Sequence, residues 1–153
     1  MKRVVIIGAG ASGMMAAKVA GDRGYKVTVL EKQKRCGQKL LITGKGRCNI
    51  TNNCEIEELI ENVPTNGKFL YSAFYTFTND QVIDMFNDLG VETKTERGKR
   101  VFPSSDKAHD IANALETMIK SQKVKLLLNT KVDRKSTRLN SSHSQQSRMP
   151  SSA

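Results

Sequence analysis

The chain has no tryptophan, and aromatics make up only 5% of its 153 residues. Hydrophobic residues reach 38%, thin for one domain with a single core. Cysteine is scarce too. Cys36, Cys48 and Cys54 form an odd set with no CxxC pair, so a disulfide framework and a zinc ribbon are not expected. Reduced thiols and a cytoplasmic setting fit instead. No run approaches the ~20 apolar residues of a membrane span. The opening MKRVVII breaks at Gly8 before a secretory apolar region forms. Acid is the scarcer charge, 15 Asp and Glu against 25 Lys and Arg, for a formal +10. Such an excess admits nucleic acid, an anionic membrane face or a phosphorylated ligand.

The end of the chain lacks apolar side chains. DRKSTRLNSSHSQQSRMPSSA, Asp133–Ala153, offers only Leu139, Met149 and Ala153. On composition it is expected to be disordered. DRKSTRLNSSH and SRMPSSA can also be back-translated into consecutive codons resembling the adapter ligated to fragments in short-read sequencing. We therefore expect two parts: 1–132, a partial nucleotide-binding domain, and 133–153, a non-native or disordered tail. The tail holds four basic residues and one acid, so the remainder stays basic.

What is present up to Val132 is ordered by period. Lys2–Ile7 reads as a buried parallel strand, Ala11–Asp22 as a helix with a small-residue face, and Lys26–Leu30 as a second strand. The polar stretch Lys32–Asn53 reads as one long loop. Helices are expected over Glu55–Glu61, with Thr51, Asn52 or Asn53 as cap, over Gly67–Tyr75, and over Thr78–Leu89 with a Thr78/Gln81 capping box. A hairpin follows around Arg97-Gly98, then an amphipathic helix Asp106–Gln122 and a third strand Val124–Leu128. Tyr71, Phe74, Tyr75 and Phe77 are read as a helix packed on the core.

GAGASG, Gly8–Gly13, carries the chemistry. It fits GxGxxG and sits where that pattern has meaning, after a strand and into a helix. Gly8 permits the tight turn, Gly10 lets backbone approach a pyrophosphate, and Gly13 lets helix and strand pack closely. Ala11 and Ser12 lie at the helix N-terminus, whose free N–H groups favour an anion. Glu31 follows Gly10 by 21 residues, close to the roughly 20 expected of the acid that binds ribose hydroxyls. A carboxylate there disfavours a 2′-phosphate.

Between Lys32 and Arg47 stand six cations and no acid. A solvated face or a nucleic-acid contact would explain them. No aromatic occurs from Lys26 to Gly67, so no stacking platform accompanies the charge and nucleic acid is disfavoured. GKGRCNITN lacks the GxxxxGK[ST] of a P-loop. It supplies close-approach backbone at Gly44 and Gly46, a forked cation at Arg47, and the amides of Asn49, Asn52 and Asn53. Cys48 within it reads as a space-filling thiol, although it could approach a ligand. Arg100 is either solvent-exposed or facing an anion. His109, with three unpaired thiols, lacks metal-ligand spacing, and no catalytic triad or carboxylate pair emerges.

GAGASG…VTVLEK…CGQKLLITGKGRCNITN, with GKRVFPSS further on, resembles the BaiN-like (aminoacetone-oxidase-type) NAD(P)/FAD-dependent oxidoreductases, from Met1 to about Val132. The resemblance implies the N-terminal part of a Rossmann-like α/β FAD-binding domain, with parallel strands and incomplete here. It implies FAD on Gly8, Gly10, Ala11, Ser12, Gly13 and Glu31, with Lys32, Lys39, Gly46, Arg47, Cys48 and Asn49 along the flavin and pyrophosphate, and Val132 near adenine. NAD(P)H is the candidate electron donor and a small molecule the substrate, with catalytic residues and oligomeric state undetermined. An incomplete parallel sheet exposes an edge and a face, so this chain alone is expected to hold FAD poorly and to be inactive. The alternatives are a stand-alone FAD or NAD module and a basic nucleic-acid-binding domain.

Overall fold

The β-branched run RVVII forms β1 (Arg3–Ile7), and KVTVL forms β2 (Lys26–Leu30), paired in parallel from Arg3 opposite Lys26 to Ile7 opposite Leu30. Between them runs α1 (Ala11–Asp22). A computed structural model describes residues 2–133; the serine-rich stretch from 134 onward, with its expected lack of order, lies outside the described residues. β6 (Lys125–Leu127) joins β2 in parallel, which gives the order β1-β2-β6. This is the parallel three-strand α/β arrangement expected from the strand–helix–strand opening.

Among the described residues, one face of that sheet is covered and the other is largely open. Period 2 sends Val27 and Val29 under α1 and α5 (Ala108–Ser121), where both are buried with Met14, Ala17, Ile111, Leu115, Met118 and Ile119. Fully burying each larger side chain in that set stabilises by roughly 1.5–3 kcal/mol. Val5 and Ile7 point the other way and are 62% and 69% exposed.

A second, antiparallel sheet stands beside the first, in the order β3-β5-β4. It joins β3 (Thr51–Asn52), β5 (Arg100–Pro103) and β4 (Thr93–Glu96). The hairpin turn holds three residues rather than two, because Glu96 pairs with Arg100 and Gly98 and Lys99 both take positive φ. α4 (Asn79–Asp88) starts at the predicted capping box, with the Gln81 N–H donating to Thr78 Oγ1 and the Thr78 N–H to Gln81 Oε1.

Three expectations are corrected. Lys32–Asn53 is not one irregular loop: it folds into tight 3-10 turns over Leu40–Gly46 and then into β3, because Thr51 and Asn52 find partners on Val101 and Arg100. That pairing also removes them as caps, and α2 (Ile56–Glu61) begins at Glu55 without a side-chain cap. Of the aromatics in the 3-10 turn Gly67–Leu70, in α3 (Tyr71–Thr76) and at Phe77, Phe74 is half-buried and the others are exposed rather than packed in the core. Tyr71, Tyr75 and Phe77 are 53%, 44% and 38% exposed, and Phe69 85%. Tyr71 and Tyr75 stack on one another, and the Tyr75 hydroxyl donates to Glu57.

Candidate functional site

The turn from β1 into α1 is built by its glycines. Gly8 takes φ +97°, and its N–H donates to Leu30 O at 2.7 Å. A Cβ on Gly13 would lie 2.0 Å from Gly8 O, so only glycine lets the helix close on the strand end. Gly10 is the opposite case. A Cβ there would meet nothing within 4 Å, because its face opens onto a groove. α1 has Gly10 as its N-cap with no side-chain cap and no acid in its first turn, leaving its first N–H groups to that groove.

Glu31 closes the arrangement from the end of β2. It is 8% exposed and accepts from the Ala9 N–H at 2.7 Å through Oε2 and from the Gln33 N–H at 2.8 Å through Oε1. Each oxygen keeps capacity for a further donor. Two cavities meet at this carboxylate. One, of about 600 Å³, is lined by Gly8, Gly10, Ala11, Ser12, Lys32 and Lys39 among others. The second, of about 700 Å³, lies on the far side of Glu31 between Ile7, Leu30, Thr130 and Val132.

The predicted residues thus divide. Gly8, Gly10, Ala11, Ser12, Glu31, Lys32 and Lys39 share the first cavity, Val132 lines the second, and Gly13 supports the turn from behind. Gly46, Arg47, Cys48 and Asn49 are not among the residues lining either. Cys48 is 2% exposed, and burial raises its thiol pKa. The Asn49 amide, oriented with its nitrogen toward the hairpin, donates to Thr51 O and Val101 O. Cys36 is buried as well, with its pKa pushed to about 11 by burial and by the Glu116 carboxylate. Arg100 is exposed and donates to Arg97 O.

Sequence reasoning missed Gln33, Gln38, Leu40 and Thr43 in the first cavity and Thr130 and Lys131 in the second. Gln33 had a readable signal in its place two residues after the acid. Thr130 had none, since it arrives by tertiary pairing, its N–H donating to Glu31 O at 2.8 Å.

This geometry defines a nucleotide-binding βαβ unit of Rossmann type. The chain belongs to the HI0933-like family, whose Rossmann domain matches residues 2–151, the family of BaiN-like FAD-dependent oxidoreductases that its motifs resemble. It is 35% identical over 135 residues to a 3-dehydro-bile acid delta(4,6)-reductase of Clostridium scindens, a match covering 87% of this chain and 32% of that protein. It is also 35% identical over 111 residues to a ribosomal RNA dihydrouridine synthase of Escherichia coli, covering 72% and 27%. The chain therefore spans between a quarter and a third of the length of these curated relatives. Among solved structures, a flavocytochrome c3 fumarate reductase in an open conformation shares the fold at TM-score 0.56 and 22% identity, over 84% of this chain and 26% of that one. THI4 of Thermovibrio ammonificans does so at TM-score 0.53 and 12% identity, covering 84% and 38%.

Proposed function

We propose that this chain is the FAD-binding portion of a flavin-dependent oxidoreductase, with the diphosphate over the Gly8–Ser12 turn. The observation that supports this most directly is the open face of Gly10 beside a buried Glu31 whose oxygens are held by two backbone N–H groups. That arrangement fits an ADP moiety. Free N–H groups of α1 and the side chains of Lys32 and Lys39 meet the diphosphate. Glu31 accepts from ribose hydroxyls, and the Thr130–Val132 backbone flanks the adenine. When bound, the flavin supplies hydride transfer. The chain's own residues bind it, orient it and hold its charge.

The activity belongs to the longer protein. There NAD(P)H is the proposed reductant and a small molecule the proposed substrate, supported by the relative named for a bile acid. A polynucleotide is the competing reading. The relative named for ribosomal RNA has the same identity over a shorter stretch, and Lys32, Lys34, Lys39 and Lys45 are all exposed. A steep fall of RNA affinity with salt favours it. By itself the chain holds FAD weakly and turns nothing over, since Val5 and Ile7 leave one sheet face uncovered.

Competition tests the reading. FAD fluorescence anisotropy is followed with the chain while ADP or FMN is added. ADP is expected to displace FAD and FMN to leave it bound, because the groove takes the ADP half. Displacement by FMN alone, or no anisotropy change with FAD, overturns it.

A further inference from the structure

The turns after Lys39 run through backbone that L residues resist. Gly44, Lys45 and Gly46 lie at φ 54°, 58° and 86°, and Cys48 at 61°. Non-glycine residues persist there only where surrounding contacts over-determine them, and such strain gathers where a ligand is held. Here the contacts converge on Phe102, which is 4% exposed. A Cβ on Gly44 would meet Phe102 Cε1 at 3.3 Å and Asn49 N at 3.0 Å, so the turn sits against that ring. Arg47 stacks over it, with Cζ 4.1 Å from the centroid.

The guanidinium is also engaged by charge. Arg47 Nη2 donates to Glu96 Oε1 at 2.5 Å and lies 2.7 Å from Asp106 Oδ1, which also accepts from Nε at 2.8 Å. Lys94 completes the set, 2.7 Å from Asp106 Oδ2 and 3.7 Å from Glu96 Oε1. Two cations thus face two carboxylates. Isolated surface pairs hold little, but a forked guanidinium shared by two acids and stacked on a buried ring is a network. From Arg47 the restraint passes along the backbone. The Arg47 N–H donates to Gly44 O, Cys48 N–H to Thr43 O, and Thr43 Oγ1 to Leu40 O.

We propose that Arg47 is a positioning residue: with Glu96, Asp106 and Phe102 it latches the strained turn to the β4–β5 hairpin, so that Lys39, Leu40 and Thr43 line the nucleotide groove. Its effect on cofactor rests on the flavin reading above. The latch itself does not.

The test compares Arg47→Gln, Arg47→Lys, Glu96→Gln, Asp106→Asn and the Arg47→Gln/Glu96→Gln pair in the full chain. Amide hydrogen exchange is measured without cofactor, and FAD affinity by titration. Residues 38–48 are expected to exchange faster in every variant while α1 and α5 keep their protection. FAD binding weakens about tenfold in each, and the pair is no worse than either single change, as for members of one network. The carboxylate variants decide by sign. Each makes the surface more positive, so if Arg47 served only to attract the diphosphate, Glu96→Gln and Asp106→Asn would bind FAD as well or better. That result, or unchanged exchange at 38–48, overturns the proposal. Should Arg47→Gln lose protection throughout, Arg47→Lys, which keeps charge without the fork, carries the comparison. If the unaltered chain takes up no FAD, the flavin reading fails, and the exchange data alone decide the latch.

Discussion

Gly13 and Gly10 are three residues apart and do opposite work. At Gly13 a methyl would press on Gly8 O at 2.0 Å, backbone against backbone, with no flexible side chain to yield. Gly13→Ala is expected to destabilise the chain by about 1–3 kcal/mol, as overpacking does, and to lower its urea midpoint. An unchanged midpoint means that helix and strand are not in close contact. The close packing at Gly13 was legible in GxGxxG, because it follows from the missing Cβ. Glu31 was legible for a similar reason, its spacing from Gly10 placing it at the end of β2. The Arg47 partners were not legible. Glu96 and Asp106 lie 49 and 59 residues away, and nothing local marks them. The thiols were half readable: Cys48 is buried, as its small volume suggested, while the Glu116 carboxylate beside Cys36 depends on α5 packing.

At the scale of elements, amphipathic period and caps located the long helices well. α1, α4 and α5 fall within a residue or two of expectation, since each has a buried stripe or a capping box to set its frame. Errors gathered in Lys32–Phe77, where local propensity is weak and partners are distant. β3 exists only because β5 pairs with it, and α3 leaves Tyr71 and Tyr75 exposed on its outer side. The hairpin ties this region together, which gives it a pH dependence. Arg47, through hydrogen bonds, holds the Glu96 carboxyl below its ordinary value of 4.5, and Lys94 and then Arg47 hold Asp106 below 3.8. Carboxyls with lowered folded pKa values contribute stability above their unfolded values and lose it as pH falls through the folded ones. The melting temperature should therefore exceed that of a Glu96→Gln/Asp106→Asn variant at neutral pH, and the gap should close below about pH 4. The difference is small, because these side chains are about a third exposed or more and solvent screens them. A gap that persists undiminished in acid contradicts the ion network.

Over the whole molecule, the βαβ unit, the 3-10 turns, α4 and α5 share one core, and the groove runs along the carboxyl ends of the parallel strands. That is where open α/β sheets bind ligands. The uncovered face at Val5 and Ile7 was foreseeable from a sheet of three parallel strands, which normally carries helices or further strands on both sides. Among the described residues no helix is long and apolar enough to cross a membrane. The basic excess has a partial structural account. Arg47 and Lys94 are spent on an internal network, while Lys32 and Lys39 line the groove.

If the groove above Gly10 receives the FAD diphosphate, filling it through Gly10→Leu abolishes binding. Gly10 has ordinary extended backbone, with φ −80° and ψ −177°, and open space where a side chain would go, so the substitution leaves the fold intact while filling the groove. FAD anisotropy is expected to rise with the unaltered chain and to stay at its free value with Gly10→Leu, at equal melting temperatures. Equal FAD binding by the two proteins would contradict it.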